Sequence, residues 1–528
     1  MNNHFLLLVM SVLFFFSCQK SSLDSALNIA GENELELENV LDHYSTIEDS
    51  LKHQAAIFLI ENMIHHYSVS QEISVKGENS ENFDWNNYQI EHLLVQDKDS
   101  LLKLKKAIDS LGIRIKPGEI IMDIKSIKAE LLVENIDYAF KVWDMPWCRH
   151  LCFEDFCEYI LPYRCQSEPL TQWRRCFYEK YSWIKDSLPD DCTPLVAASY
   201  LQKVINNEVV WLPSKTRFYS GFLSPFMFER IKAGDCGNLC VYTSLAMRSV
   251  GVPVTYDLVL YWSGRNSGHA FNCLVANDSI RGYLFNVCDG PPNSAIKPHR
   301  ATRIMRTTFQ LQDNPLWNSW AEGESIPPSL VGRYQKDVTN IKVATDTLKI
   351  NVDNIGKTEK RIWLCTITPN SLKVFNYSEI DDDGWLCFPT VNNRLVYVLA
   401  RYNNKVLTPI SSPFYLKDQS VTYLKPDKRI RQNYSFEGKL KTNEKLPKKI
   451  IDLTVMYWED GWNKVEARAE FLYHLKYNER LQYNEGIFNI QLKNAPQNAF
   501  FYMKDDYSGF TNDFSWFTFS DEGQYQKR

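Results

Sequence analysis

Past its first 18 residues, the 528-residue sequence lacks any apolar stretch of the roughly 18 residues that a membrane helix needs. It also lacks a charge imbalance. Lys and Arg number 59 against 64 Asp and Glu, and a net charge of −5 gives no support for nucleic-acid binding. No internal repeat stands out. The one cluster with a metal-like look, Cys148-x-His150-x-Cys152 with Cys157, fits no tetrahedral zinc spacing, and its interleaved Phe153 and Phe156 suit a helix face instead. Neither a metal nor any other cofactor is expected. Histidine is scarce where it would matter: only His269, His299 and His474 follow Cys236.

Aromatic residues are plentiful, with 14 Trp, 28 Tyr and 29 Phe. That excludes a disordered chain and suits large β modules. The length exceeds one comfortable core, so three or four domains are expected. Thirteen cysteines are present; setting aside Cys18 and Cys236 leaves eleven, an odd number, of which six lie between Cys148 and Cys192. No disulfide pattern follows from that count.

Phe5 to Phe16 is an apolar run interrupted only by Ser11, too short to span a bilayer and of the size of a signal-peptide core. The run ends at Phe15-Phe16-Ser17-Cys18, which resembles a bacterial lipobox. The resemblance implies that Cys18 is diacylated and becomes the mature N-terminus. The other reading is a cleaved signal in which Cys18 is incidental.

Helical periodicity dominates from about 33 to 200. Leu51, Ala55 and Phe58 recur at helical spacing within the segment from Glu34 to Tyr67. Leu101, Leu104, Ile108 and Leu111 repeat it, as do Ile127, Leu131, Tyr138 and Val142. The stretch Leu161-Pro162-Tyr163-Arg164 breaks the pattern before Trp173 resumes it, and the polar tract from Ser70 to Asn87 reads as a long loop. From Val254 the period changes to two, and the chain after Pro327-Pro328 is β-rich, with turn clusters such as Asp381-Asp382-Asp383-Gly384 between short apolar runs.

The segment Ala233-Gly234-Asp235-Cys236-Gly237-Asn238-Leu239 is the most informative. Small residues deliver Cys236 to the start of a helix that Leu239, Tyr242, Ala246 and Ser249 continue and Gly251 with Pro253 ends. A helix N-terminus supplies a positive dipole and unpaired N–H groups, which favour a thiolate and can bind the oxyanion of an attacked carbonyl. The nucleophile needs a base. His299 lies in a basic loop and His474 in the terminal β segment, whereas His269 opens the strand His269 to Val275, which turns at Asn277-Asp278 into Tyr283 to Asp289. Pairing residues whose numbers sum to 558 sets Val275, Cys273 and Phe271 opposite Tyr283, Phe285 and Val287, and His269 opposite Asp289. Cys240 and Cys273 read as core.

Gly234-Asp235-Cys236 opening a helix, Arg248 to Pro253 closing it, then Gly268-His269-Ala270-Phe271-Asn272 and Asp289, resemble the transglutaminase-like superfamily. The likeness spans roughly 230 to 290 and implies a papain-like α+β core. In it Cys236 is the nucleophile, His269 the general base and then acid, and Asp289 the orienting group; Gln202 and Trp211 are the candidates for the oxyanion residue. Phe271 stands where Trp is usual. The wider layout resembles bacterial surface lipoproteins. The expected fold is thus multidomain α+β: a signal peptide over 1–18, an α-helical region over 19–200, the transglutaminase-like core over 201–325, an Ig-like β-sandwich over 330–425 and a β-rich domain over 426–528.

The expected activity is that of an exported cysteine enzyme acting on amide bonds of peptides or glycopeptides through an acyl-enzyme, with hydrolysis favoured over transamidation. Its expected partners are that substrate and a membrane, met through a lipid anchor at Cys18 in the outer membrane of the cell envelope. The alternative is a non-catalytic surface protein binding glycans or another protein. Trp458, Trp462, Tyr507, Phe510 and Trp516 of the C-terminal β segments would then stack on sugar rings or on a partner chain.

Overall fold

The computed structural model describes residues 22–74, 114–211, 221–263, 267–276, 279–285, 300–319, 325–351, 360–368, 371–417, 420–442, 450–459, 461–478, 483–504, 515–519 and 525–527. The chain is mixed α+β with several antiparallel sheets. Its first part is helical: α1 (22–30), α2 (Glu34–His43), α3 (Ser50–Asn62), α4 (Ala129–Trp143), α5 (Phe153–Tyr159), α6 (Trp173–Tyr181) and α7 (Pro194–Glu208). α4 shows why these segments are helices. Leu132, Ile136, Ala139 and Val142 recur at helical spacing and are all buried, so one stripe packs on the core.

The tract from Ser70 to Asn87, expected as a loop, begins in a strand. β1 (Tyr67–Ser74) pairs antiparallel with β2 (Arg114–Met122), and Glu119 N donates to Ser70 Oγ at 2.8 Å. The partner strand starts some 40 residues later, and a pairing so distant leaves no trace in local polarity. The helix expected over Leu101, Leu104, Ile108 and Leu111 lies outside the described residues.

Two further helices follow, α8 (Pro225–Ile231) and α9 (Cys236–Ser249). A two-residue parallel pair, β3 (Val210–Trp211) with β4 (Ala233–Gly234), precedes α9. A five-stranded antiparallel sheet comes after it, in the order β7 (Ser279–Phe285), β6 (His269–Ala276), β5 (Val254–Val259), β8 (Ile304–Thr307), β9 (Gln335–Asp337). α9 is the central helix, with every residue from Asn238 to Ser249 buried. It ends at Gly251, whose φ of +78° only glycine adopts freely; a Cβ there would lie 2.6 Å from the Val142 carbonyl of α4. One hydrophobic core runs from Ala26 through α2–α9 to Leu274 and Phe309. The helical region and the sheet are therefore built on the same interior, across the boundary expected near residue 200.

Charged groups inside this core are paired or sheltered. Asp123 and Arg164 form a buried pair, and Arg174 donates to the carbonyls of Ile160, Leu161 and Pro162 and to Asn135 Oδ1. His66 is stacked between Phe309 and Tyr334, and burial lowers its pKa to about 3, so it stays neutral. Glu158 of α5 accepts the N–H groups of Phe309 (2.8 Å) and Gln310 (3.0 Å); burial nevertheless raises its pKa to about 7. Because that folded value lies above the unfolded one, the contribution to stability is complete below about pH 4.5 and is lost as pH rises through about 7. We expect wild type to lose on the order of 2 kcal/mol between pH 5 and pH 8 from this group, allowing for its half-buried site. Urea unfolding of wild type and Glu158→Gln at both pH values checks this; parallel pH dependence in the two would count against it.

Beyond the core, β10 (Thr345–Asn351) pairs with β13 (Trp385–Asn392), and a second antiparallel sheet is built on β11 (Arg361–Ile367), β12 (Leu372–Glu379), β14 (Val396–Asn403), β15 (Val406–Pro409), β16 (Phe414–Lys417) and β17 (Ser420–Tyr423). The two sheets share one core: Leu348, Ile350, Leu386 and Phe388 from one, Ile362, Leu364, Tyr397 and Leu399 from the other. The C-terminal seven-stranded antiparallel sheet has three long strands, over Asp427–Thr442, Trp462–Asn478 and Tyr483–Gln497. Phe488, Ile490 and Leu492 are buried on its inner face, while Gln491 and Lys493 are exposed between and beyond them.

Candidate active site

The approach to Cys236 is held by hydrogen bonds that its neighbours make. Lys232 closes α8 in the left-handed conformation (φ 50°), and Trp211 pairs with Gly234. Asp235 then caps α9: its Oδ1 accepts Asn238 N at 2.9 Å and Asn238 Nδ2 at 3.2 Å. Asn238, itself buried, accepts Leu223 N at 2.8 Å and so ties the segment before α8 to the start of α9. Cys236 is the first residue of α9 and is half-buried. The expected helix start is therefore present at Cys236, with its N-cap.

No disulfide joins any of the eleven described cysteines, six of which lie between Cys148 and Cys192. Burial raises the thiol of Cys165 to about 12 and pushes those of Cys148, Cys157 and Cys365 up further. Cys240 and Cys273 are buried, as expected of core residues. Cys152, Cys176 and Cys387 are exposed. Cys18 lies outside the described residues, among which no helix is long and apolar enough to cross a membrane.

β5 runs back alongside α9. Tyr256 reaches the first turn of the helix, and Val259 pairs with His269 at the start of β6. Within β6 the parity is clear. Ala270 and Leu274 join the core around α9, and Asn272 Nδ2 donates to Cys240 O (3.2 Å) and Ser244 Oγ (2.8 Å) of the helix. Phe271 instead packs with Val259, Ala301, Ile304 and Val338, and Cys273 Sγ accepts from Lys342 Nζ at 2.9 Å. His269 shares the parity of Phe271. Its ring stacks with Trp262 (6.1 Å) and Phe271 (6.3 Å), on the sheet face turned from α9. No hydrogen bond among the described residues joins Cys236 to His269.

The register expected for β6 and β7 is off by one residue. Asn272, Cys273 and Leu274 pair with Phe285, Leu284 and Tyr283, and the ladder shifts again before Ala276 pairs with Ser279. The turn decides this. A pair at Ala276 and Ser279 leaves only two residues between the strands, and the irregularity after Leu274 fixes the count beyond it. Asp289, and with it the His269–Asp289 pair, lies outside the described residues.

Of the two residues considered for the oxyanion, Trp211 has its backbone beside Gly234, and Gln202 is buried within α7, a helix that packs on β6. The sequence reading missed Tyr256, Asn238 and the role of Asn272 as the tie between β6 and α9. Strand parity held the signal for Tyr256, since it lies two residues from Val254 and Leu258 on one face. Of the C-terminal aromatics, Trp458 is buried and meets Trp462 edge-on at 5.1 Å in a seam with Val398 and Phe500 between two sheets. Tyr507 and Phe510 lie outside the described residues, and Trp516 lies in a strand that pairs it with Tyr502.

Neither the family models nor the curated proteins with which the sequence was compared yield a match.

Proposed function

We propose that this chain is an exported cysteine enzyme of transglutaminase-like type that acts on amide bonds of peptides or glycopeptides. The observation that carries the reading is Cys236 itself: a half-buried thiol on the first residue of a capped 14-residue helix, in a core whose other thiols are sealed in. In this reading Cys236 attacks the carbonyl, the backbone N–H groups of the first turn take the oxyanion, and His269, oriented by Asp289, protonates the leaving amine. Water then releases the acid. Cys18 carries a lipid anchor that holds the protein at the outer membrane.

The test is thiol reactivity. At about pH 6 iodoacetamide is expected to label Cys236 faster than the exposed Cys152, Cys176 and Cys387, and His269→Ala is expected to remove the difference. Peptide mapping by mass spectrometry reads both. Labelling of Cys236 no faster than the exposed thiols would sink the reading.

One observation favours the alternative, a surface protein that binds without turnover: the His269 ring stacks on the sheet face turned from α9. On that reading Cys236 keeps the helix start but lacks its base, and glycan or protein binding survives Cys236→Ala.

A further inference from the structure

The geometry points to Tyr256 as a catalytic residue: its phenol donates a hydrogen bond to the oxyanion formed when Cys236 attacks a carbonyl. The inference rests on Cys236 being the nucleophile. Tyr256 lies in the middle of β5 on the face toward α9, with its ring 5% exposed, and Phe222 packs edge-on against it at 6.3 Å. Its Oη lies 3.4 Å from where a Cβ on Gly237 would sit, and Asp235 Oδ1 lies at the same distance from that point. The hydroxyl is therefore at the first turn of α9, beside the backbone N–H groups that no helical carbonyl satisfies.

Three facts make it a donor waiting for an acceptor. First, Tyr256 Oη makes no hydrogen bond to a described residue, although the residue as a whole is only 5% exposed, so the O–H is open to an incoming acceptor. Second, burial, reinforced by the nearby sulfurs of Cys240 and Cys236, keeps the phenol protonated well above its ordinary range, so it donates rather than accepts. Third, Gly237 leaves the space open. A side chain there would press on the Phe222 ring at 3.3 Å and touch the phenol oxygen at 3.4 Å, so glycine leaves the space between the hydroxyl and the helix start unfilled.

In the step itself the Cys236 Sγ–carbon bond forms and the carbonyl π pair moves onto oxygen. The tetrahedral oxyanion then receives the Tyr256 O–H beside backbone N–H groups. No proton leaves the phenol. When the C–N bond breaks, the pair returns to the carbonyl and the hydrogen bond is released.

Two reagents separate this from a role in packing or in thiol activation. Acylation of Cys236 by p-nitrophenyl acetate passes through an oxyanion, whereas alkylation by iodoacetamide is a displacement at a saturated carbon and forms none. Tyr256→Phe is expected to slow acylation, read as p-nitrophenolate release, by about 100-fold. It is expected to change the alkylation rate of Cys236 by less than about threefold, since the ring and its packing remain. Unchanged acylation in Tyr256→Phe, with Cys236 still labelled preferentially by iodoacetamide, overturns the inference. A parallel fall in both rates also overturns it, because the hydroxyl would then act on the thiol. If Cys236 in the unaltered protein is labelled no faster than the exposed thiols, it is the nucleophile assignment that has failed.

Discussion

Replacing Arg164 with methionine is expected to lower the unfolding free energy by about 3–5 kcal/mol, the scale on which breaking a buried ion pair leaves a charge uncompensated. The guanidinium is enclosed, as is its partner. Nε meets Asp123 Oδ2 and Nη2 meets Oδ1, each at 2.5 Å, and Tyr163 donates to Oδ2 at 2.8 Å. Arg164 Nη1 also donates to the carbonyls of Tyr67 (2.9 Å), Gln166 (2.8 Å) and Glu168 (3.1 Å). One side chain thus joins the start of β1, the short helix Asp123–Ser126 that follows β2, and the loop at 163–168. Methionine fills the space but satisfies none of these groups. Two results distinguish pair loss from a packing defect. The deficit shrinks as pH falls, because burial already raises the Asp123 pKa and an unpaired Asp123 takes up a proton more readily still. The double variant Asp123→Leu with Arg164→Met recovers much of the loss. Chemical unfolding at pH 5 and pH 8 measures both; a deficit under about 1 kcal/mol at pH 8 would show the pair to be dispensable.

Cys236→Ala is expected to abolish acylation by p-nitrophenyl acetate, with a loss of at least about 10³-fold, since removing a nucleophile deletes the covalent route rather than weakening a contact. The fold should tolerate the change. Cys236 is half-buried at a helix N-terminus, where the cap is made by Asp235 and the staple to Leu223 by Asn238, neither of which uses the thiol. Ala is also a good residue for the first helical turn. The comparison that matters is with Cys176→Ala and Cys387→Ala, which remove exposed thiols far from α9 in sequence. Acylation that persists in Cys236→Ala and disappears with either of the others would move the reactive thiol elsewhere.

Much of the helix that carries Cys236 was legible because its determinants are local. Asp235 ahead of a helix, two glycines around Cys236 and Gly251 at the other end are short-range signals, and α9 begins and ends where they say. Alternation gave β5 and β6 for the same reason. The register of β6 with β7 was not legible to one residue. An apolar ladder such as Cys273 with Phe285 looks equally good against Leu284, and the choice falls to a turn and an irregularity that apolar pattern does not encode. The orientation of His269 follows from parity, which Asn272 settles by donating into α9. β1 and β2 were missed because each needs the other, and their paired residues lie 40 to 55 positions apart. Lastly, the place of Tyr256 beside the start of α9 was invisible, because a tyrosine in an alternating strand looks like any other core aromatic until its oxygen is found at a helix start.

The interior that α2–α9 share with β5 and β6 has a bearing on how this chain can be dissected. A fragment beginning at residue 201 would keep Cys236, Tyr256 and His269, yet would strip α9 of Trp147, whose indole donates to the Val250 carbonyl at 2.8 Å, and of Phe177, which packs on Tyr242. The stretch that carries Cys236 has no separable minimal unit at that cut. For the same reason, substitutions in the N-terminal helices, far from Cys236 in sequence, can silence the thiol simply by loosening the helix that presents it.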